Sequence, residues 1–544
     1  MNYTRREILK AGMVGAAAVA AAPARAWASV IPLTQAESLV FRAHPHELTP
    51  ELDFAYASDV NGDPFKSAIE VRNGEVVVPE SAAAQSFAVN AQWFVEGFGN
   101  VWLDADNGGE MFKAEDFTRS RALLLNVEFA RTRVARNAQQ MARYRGEGNT
   151  FSPEVTHLHA LSQDLLELAM RQQSETAART ADQSLLYALW ASEKIELEKA
   201  GQDIERINRT GEFYFGCESR QYIWAKSVDM TARFTELFNY ATVTHYVYDT
   251  WYPVFEPRPG QHRFGLKDEI VDWLLEHDIT IEGRPLFWFH SWVMDDWLKN
   301  MSYDELKNYV VEHASSVVGH YGDRISHWEV MNEYHDWANV FQHTPEQTIE
   351  ITRLACETAR EANPNIVRLI NNCCPFAEYV ARGRHESGEA DRPLRSPWQF
   401  VRDLVEADVP FEVVGVQLYF PHRTIADMVR LIERFEVFGK PVQITEIGTS
   451  SGPTRADVML NRMRLPGAPY DWHRPWDEDL QADWLEQTYT LFYSRPFIEA
   501  VNWYDFADFR TFIPNGGLIR EDGETKPSFH RMKELLERWG RLPG

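Results

Sequence analysis

Two glutamates stand at the ends of short apolar runs. Glu333 closes His327-Trp328-Glu329-Val330-Met331-Asn332-Glu333, and Glu446 lies near the end of Val442-Gln443-Ile444-Thr445-Glu446-Ile447-Gly448. Each run has the length and composition of a buried strand. Two carboxyl groups delivered by two strand ends can divide one reaction between them. A glycosidic bond is cleaved when a carboxylic acid protonates the leaving oxygen while a carboxylate attacks the sugar or activates water. A separation of about 5–5.5 Å gives a covalent intermediate and retention, and about 6.5–9.5 Å admits water and gives inversion.

Such a pair needs a frame that brings distant strand ends together. From about residue 211 onward, apolar segments at 212–218, 240–248, 285–290, 327–333, 366–372, 413–420, 441–448 and 500–506 alternate with amphipathic stretches. Eight strand-helix units predict an α/β fold, a (β/α)8 barrel whose strands open their C-terminal ends onto the active face. A doubly wound sheet is the alternative, but no glycine-rich dinucleotide turn follows the first strand. Polar and aromatic residues gather at those ends: His290 on the third strand, Asn332 and Glu333 on the fourth, Gln417 and Tyr419 on the sixth, Glu446 on the seventh, Trp503 on the eighth.

Upstream the pattern changes twice. Residues 29–118 are β-rich, with a hairpin signalled by Asn73-Gly74, and predict a β-sandwich module that either binds sugar or packs on its neighbour. Residues 119–209 predict two or three long helices linking that module to the barrel, which occupies 210–544. Residues 1–28 read as an export signal: a twin-arginine pair at Arg5-Arg6, an Ala/Gly/Val run, and small residues at Ala26-Trp27-Ala28. The expectation is cleavage after about Ala28 and Tat export to the periplasm or beyond.

The net charge of −25 argues against a nucleic-acid partner, whose phosphates call for Lys/Arg stripes. The 18 tryptophans suit a carbohydrate partner, because flat indoles fit the C–H faces of sugar rings, and equally suit a large core. No stretch after the signal is long and apolar enough to span a bilayer. The four cysteines, Cys217, Cys356, Cys373 and Cys374, have no metal-type spacing and read as buried thiols. No cofactor and no metal is expected.

Five motifs in order resemble glycoside hydrolase family 10, the xylanase family. Trp328-Glu329-Val330-Met331-Asn332-Glu333 is similar to its Trp-Asp-Val-Val-Asn-Glu signature, and Ile444-Thr445-Glu446-Ile447 to its Ile-Thr-Glu-Leu. The run from Gly283 to Ser291 resembles its strand-three motif ending in Trp-His-Ser, and the run from Glu256 to Phe264 its Glu-Pro-x-x-Gly-x-x-x-Phe turn. The run from Gly516 to Pro527 resembles its closing segment. The resemblance implies a retaining enzyme with Glu333 as acid/base and Glu446 as nucleophile. It also implies that Asn332 binds a sugar 2-hydroxyl, His290 a neighbouring hydroxyl, and Trp503 the underside of the ring.

Three departures stand out. Gln417-Leu418-Tyr419 replaces the family's Gln-x-His, and the Tyr419 hydroxyl is able to donate to Glu446 in place of the histidine. The second-strand Glu-Asn-x-x-Lys set is missing around His245, and Phe289 stands where a tryptophan precedes the family's histidine. The expected substrate is a β-1,4-linked, xylan-like glycan; the alternatives are a hydrolase for a different β-glycan and a non-catalytic carbohydrate-binding protein on this fold, while a barrel whose rim acids work with a metal finds no His/Asp cluster with ligand spacing to support it.

Overall fold

A computed structural model describes residues 38–47, 49, 52, 54–118, 122–207, 209, 211–222, 230–248, 253–419, 422–452 and 470–543. The expected export signal and residues 249–252 lie outside them. Among the described residues, no helix is long and apolar enough to cross a membrane.

The chain begins with strands β1 (Ser38–Arg42), β2 (Ala55–Ser58), β3 (Pro64–Phe65), β4 (Glu70–Arg72), β5 (Glu75–Pro79), β6 (Ala88–Val95), β7 (Gly99–Ala105) and β8 (Leu123–Leu124). They form two four-stranded sheets, ordered β4-β5-β1-β8 and β3-β2-β6-β7. Asn73 and Gly74 both take positive φ, 52° and 76°, as a two-residue hairpin between β4 and β5 requires. Helices α1 (Leu125–Gly146), α2 (Pro153–Arg171) and α3 (Ser174–Arg206) follow. Phe41 and Val78 of one sheet, Val89 and Trp93 of the other, Phe129 of α1 and Leu185 of α3 share a single core. The helices therefore pack against the sheets and contribute to the module's core.

The barrel consists of β9 (Tyr214–Glu218), β10 (Tyr240–Thr244), β11 (Thr280–Arg284), β13 (His327–Asn332), β14 (Val367–Asn372), β17 (Val413–Leu418), β18 (Val442–Ile447) and β19 (Ile498–Trp503). All neighbours run parallel, and β19 pairs with β9 to close the ring. A short segment β12 (Phe287–Trp288) also pairs with β13, and β15 (Arg384–His385) and β16 (Gly388–Glu389) form a small hairpin outside the ring. Strands β13, β17 and β18 are buried along their whole length, as expected of a parallel sheet covered on both faces. The surrounding helices start at capping boxes: Ser302 with Glu305, Thr344 with Gln347, and Ser396 with Gln399.

The third strand departs from its sequence expectation of 285–290. It occupies Thr280–Arg284 and stops where Pro285, lacking an N–H, cannot continue the ladder. Gly283 is required there, because a Cβ would lie 2.3 Å from the Trp328 ring on β13.

The β-module is joined to the active end of the barrel. Trp102 on β7 donates its backbone N–H to His422 O at 2.9 Å, and Asn100 donates to Tyr470 O at 2.8 Å. His422 lies in the connection after β17 and Tyr470 in the connection after β18. Buried ion pairs between Arg133 and Asp427 (2.7 Å) and between Arg495 and Glu196 (2.9 Å) tie α1 and α3 to the barrel.

Candidate active site

Residue Glu333 directly follows β13 and has a positive φ of 55°. A side chain at such an angle costs roughly 1–3 kcal/mol, a strain typical of functional positions. Its backbone N–H is secured by Asn371 O at 2.9 Å. The side chain is 7% exposed and accepts two hydrogen bonds, from Trp288 Nε1 to Oε2 at 3.0 Å and from Gln417 Nε2 to Oε1 at 2.9 Å. Burial pushes its pKa up to about 7, and the nearby Glu446 charge pushes the same way, against the lowering effect of Gln417, the Cys373 thiol and Trp288. A carboxyl in that range holds a proton near neutrality and is able to release it to a reacting oxygen.

The second carboxyl is delivered by β18. Gln417 and Glu446 are register partners across β17 and β18, so the glutamine that holds Glu333 sits beside Glu446. Glu446 accepts from the Arg284 guanidinium on Oε1 and from the Tyr419 hydroxyl on Oε2, with Asn371 Nδ2 3.4 Å from Oε1. Its donors are thus a cation, a phenol and an amide, all buried. Burial holds the Tyr419 phenol well above its ordinary pKa, so it remains a donor.

The other expected site residues divide. Asn332 is buried, with its Oδ1 3.4 Å from Gln417 Nε2, beside Glu333. His290 lies 4.8 Å from the Trp288 ring and receives the Trp292 N–H on Nδ1 at 3.3 Å. Trp503 differs from its expected place beneath a sugar ring. It is 0% exposed, donates its indole N–H to Gly516 O at 3.0 Å, and packs with Trp484 and Tyr489 in the core. The Phe289 replacement also reads differently in three dimensions. Alternation along an extended chain turns Phe287 and Phe289 into the core and sends Trp288 and His290 to the mouth, so Trp288 supplies the indole beside Glu333.

Residues 205–534 match the family model for Glycosyl hydrolase family 10. The chain belongs to that family. It is 21% identical over 295 residues to endo-1,4-beta-xylanase B of Thermotoga neapolitana, covering 52% of this chain and 76% of that protein. It is 28% identical over 207 residues to a beta-1,4-xylanase of Dictyoglomus thermophilum, covering 36% of this chain and 54% of that protein. Among solved structures it aligns with native xylanase 10B from Thermotoga maritima at 18% identity and a TM-score of 0.46, over 63% of this chain and 98% of that chain. This family 10 chain is by its family a glycoside hydrolase.

Several residues around this candidate site did not stand out in the sequence. Arg284 is the first, hidden because the expected third strand began one residue after it. A charged residue between an apolar strand and a proline was the available signal. Beneath Glu446 lie Glu329, which accepts from Asn371 Nδ2 at 3.0 Å, and Glu282, which accepts from Tyr240 OH at 2.6 Å. Burial raises the pKa of both, so one arginine does not face three full negative charges. The thiol of Cys373 touches Glu333. All four cysteines are free, three of them buried and Cys374 half-buried.

The fold also assembles a cluster that spacing did not reveal. Ligand atoms of Glu256, His262 and His313 all lie within 4.8 Å of one another. His313 Nδ1 is 2.8 Å from Glu256 Oε2, which also accepts from Tyr309 OH at 2.8 Å, and Gly260 N–H donates to Oε1 at 2.6 Å. A metal on His313 Nδ1 would force the proton onto Nε2, which is buried without a partner. Donation from Nδ1 to the carboxylate leaves only a bare acceptor there. The cluster therefore fits a hydrogen-bonded clasp between the 256–264 turn and the 303–321 helix better than a metal site.

Proposed function

We propose that the protein cleaves a β-1,4-linked glycan, xylan-like in its backbone, by double displacement with retention of configuration. The observation that carries this reading is the unequal environment of two neighbouring carboxyls that feel each other's charge: burial raises the Glu333 pKa to about 7, while Glu446 receives an arginine and a phenol. In the first step a Glu446 oxygen bonds to the anomeric carbon as the glycosidic C–O bond breaks. Glu333 gives its proton to the leaving oxygen. In the second step water attacks the same carbon, Glu333 takes its proton, and Glu446 departs as the carboxylate. Esterification of Glu446 removes the negative charge that helps raise the Glu333 pKa, so Glu333 stays ionised after giving up its proton and is available as the base of the second step. In this reading Asn332, beside Glu333, and His290, beside Trp288, bond the hydroxyls of the sugar undergoing cleavage.

We also propose that the chain is exported, on the strength of the twin-arginine pattern and the small residues before Ser29. N-terminal sequencing of the secreted protein should begin at about Ser29, and a mature chain starting at Met1 would refute it.

A polysaccharide panel with product analysis by NMR tests the catalytic reading. The expected result is release of β-anomeric oligosaccharides from xylan first, and none by E446Q. Initial α-anomer release, or an E446Q variant as active as the wild type, would overturn it.

A further inference from the structure

A row of rings leads from Glu333 to the solvent. It begins at Trp288, whose Nε1 donates to Glu333 Oε2 at 3.0 Å. The His290 ring lies 4.8 Å from Trp288, and the Trp292 ring 4.7 Å from His290. Trp288 is half-buried, His290 between them is buried, and Trp292 at the outer end is 45% exposed. Single exposed apolar side chains are common on protein surfaces. Trp292 differs because its ring is the outermost member of a continuous series that starts at the acid.

The backbone under Trp292 is clamped from two sides. Its own N–H donates to His290 Nδ1 at 3.3 Å, and the preceding Ser291 Oγ donates to Glu386 Oε1 at 2.6 Å on the turn between β15 and β16. An indole on a fixed backbone pays little conformational entropy when a ligand settles on it. The neighbouring Glu386 carboxylate adds a second criterion. It accepts bonds from hydroxyls and repels carboxylates, so a ring lying here carries no acidic substituent on that edge.

Resting on the hydrolase reading above, we propose that Trp292 is a specificity-determining platform for a neutral pyranose unit of the substrate beyond the one being cleaved. The C–H face of that sugar lies on the exposed indole, and its hydroxyls reach Glu386. Recognition therefore favours a longer chain over a single sugar.

The test compares wild type, W292A and W292F on linear β-1,4-xylo-oligosaccharides of increasing length. In the wild type, kcat/KM rises as each added sugar finds a subsite. In W292A the gain at one added unit is expected to fall about five- to tenfold, mainly through KM, and W292F recovers most of it. A length profile unchanged in W292A, or one that W292F fails to recover, would overturn the proposal. If the wild type cleaves none of these chains, the hydrolase reading fails on its own account, and calorimetric titration with the same oligosaccharides decides the platform. Weaker binding by W292A supports it, and equal or absent binding in both proteins overturns it.

Discussion

Arg284 donates directly to Glu446 at the floor of the barrel mouth, and both side chains are almost fully removed from solvent. The pair spans two strands that are not neighbours, so it locks the proposed nucleophile to the far wall of the ring. Removing one partner of a buried pair leaves an uncompensated charge, at a cost of about 3–5 kcal/mol. Arg284→Met is therefore expected to lower both stability and turnover. Urea unfolding should show a reduced midpoint, and replacement of Glu446 by Gln in the Arg284→Met background should restore part of it.

Glu333 gives a pH dependence with a definite sign. Its folded pKa is raised to about 7, above its ordinary value, so the folded state holds the proton more tightly than the unfolded chain. The stability this contributes is complete below the ordinary carboxyl range and is lost as pH rises through about 7. Glu333→Gln stays neutral throughout. Thermal melts should show the variant close to wild type at pH 4 and more stable at pH 8. The kcat/KM profile of the wild type should fall on its alkaline side near pH 7, where the acid is lost.

Tyr419 tests whether a phenol does what a histidine does at this position in relatives of the family 10 pattern. A hydrogen bond to a charged group contributes about 1.5–3 kcal/mol. Tyr419→Phe should lower kcat about ten- to a hundredfold with little change in fold, and Tyr419→His should retain more activity than Phe. Steady-state kinetics with an aryl β-glycoside measures both.

Gly99 sits where β7 meets the loop after β18. Its φ is 137°, and a Cβ there would lie 2.2 Å from Asp471 O. Gly99→Val should lower the melting temperature and also depress activity, because the displaced loop follows the strand that bears Glu446. A melting temperature and activity equal to wild type would show that the module merely adjoins the barrel.

The legible parts of this site share a physical cause. Strands β13 and β18 are buried on both faces, so each reads as an apolar run with its polar group at the end, and Glu333 and Glu446 were visible at once. The third strand was hidden because β11 carries Glu282 and Arg284 inward, while the following run, Leu286 to Phe289, imitates a strand better than the strand itself. Trp503 stands at a strand end, but sequence position does not tell which way a side chain faces, and it points into the core. Contacts such as Arg284 with Glu446 or Glu256 with His313 join residues far apart in the chain, and no local pattern announces them.

In the proposed reaction Glu446 becomes covalently bonded to the sugar. Incubation with a 2-fluoro aryl β-xyloside, which forms the intermediate faster than water releases it, followed by mass spectrometry of the digested protein, tests it directly. One added glycosyl group is expected on the peptide carrying Glu446 and none in E446Q. A label on any other residue, or no label on an enzyme that turns over the unfluorinated substrate, would contradict it.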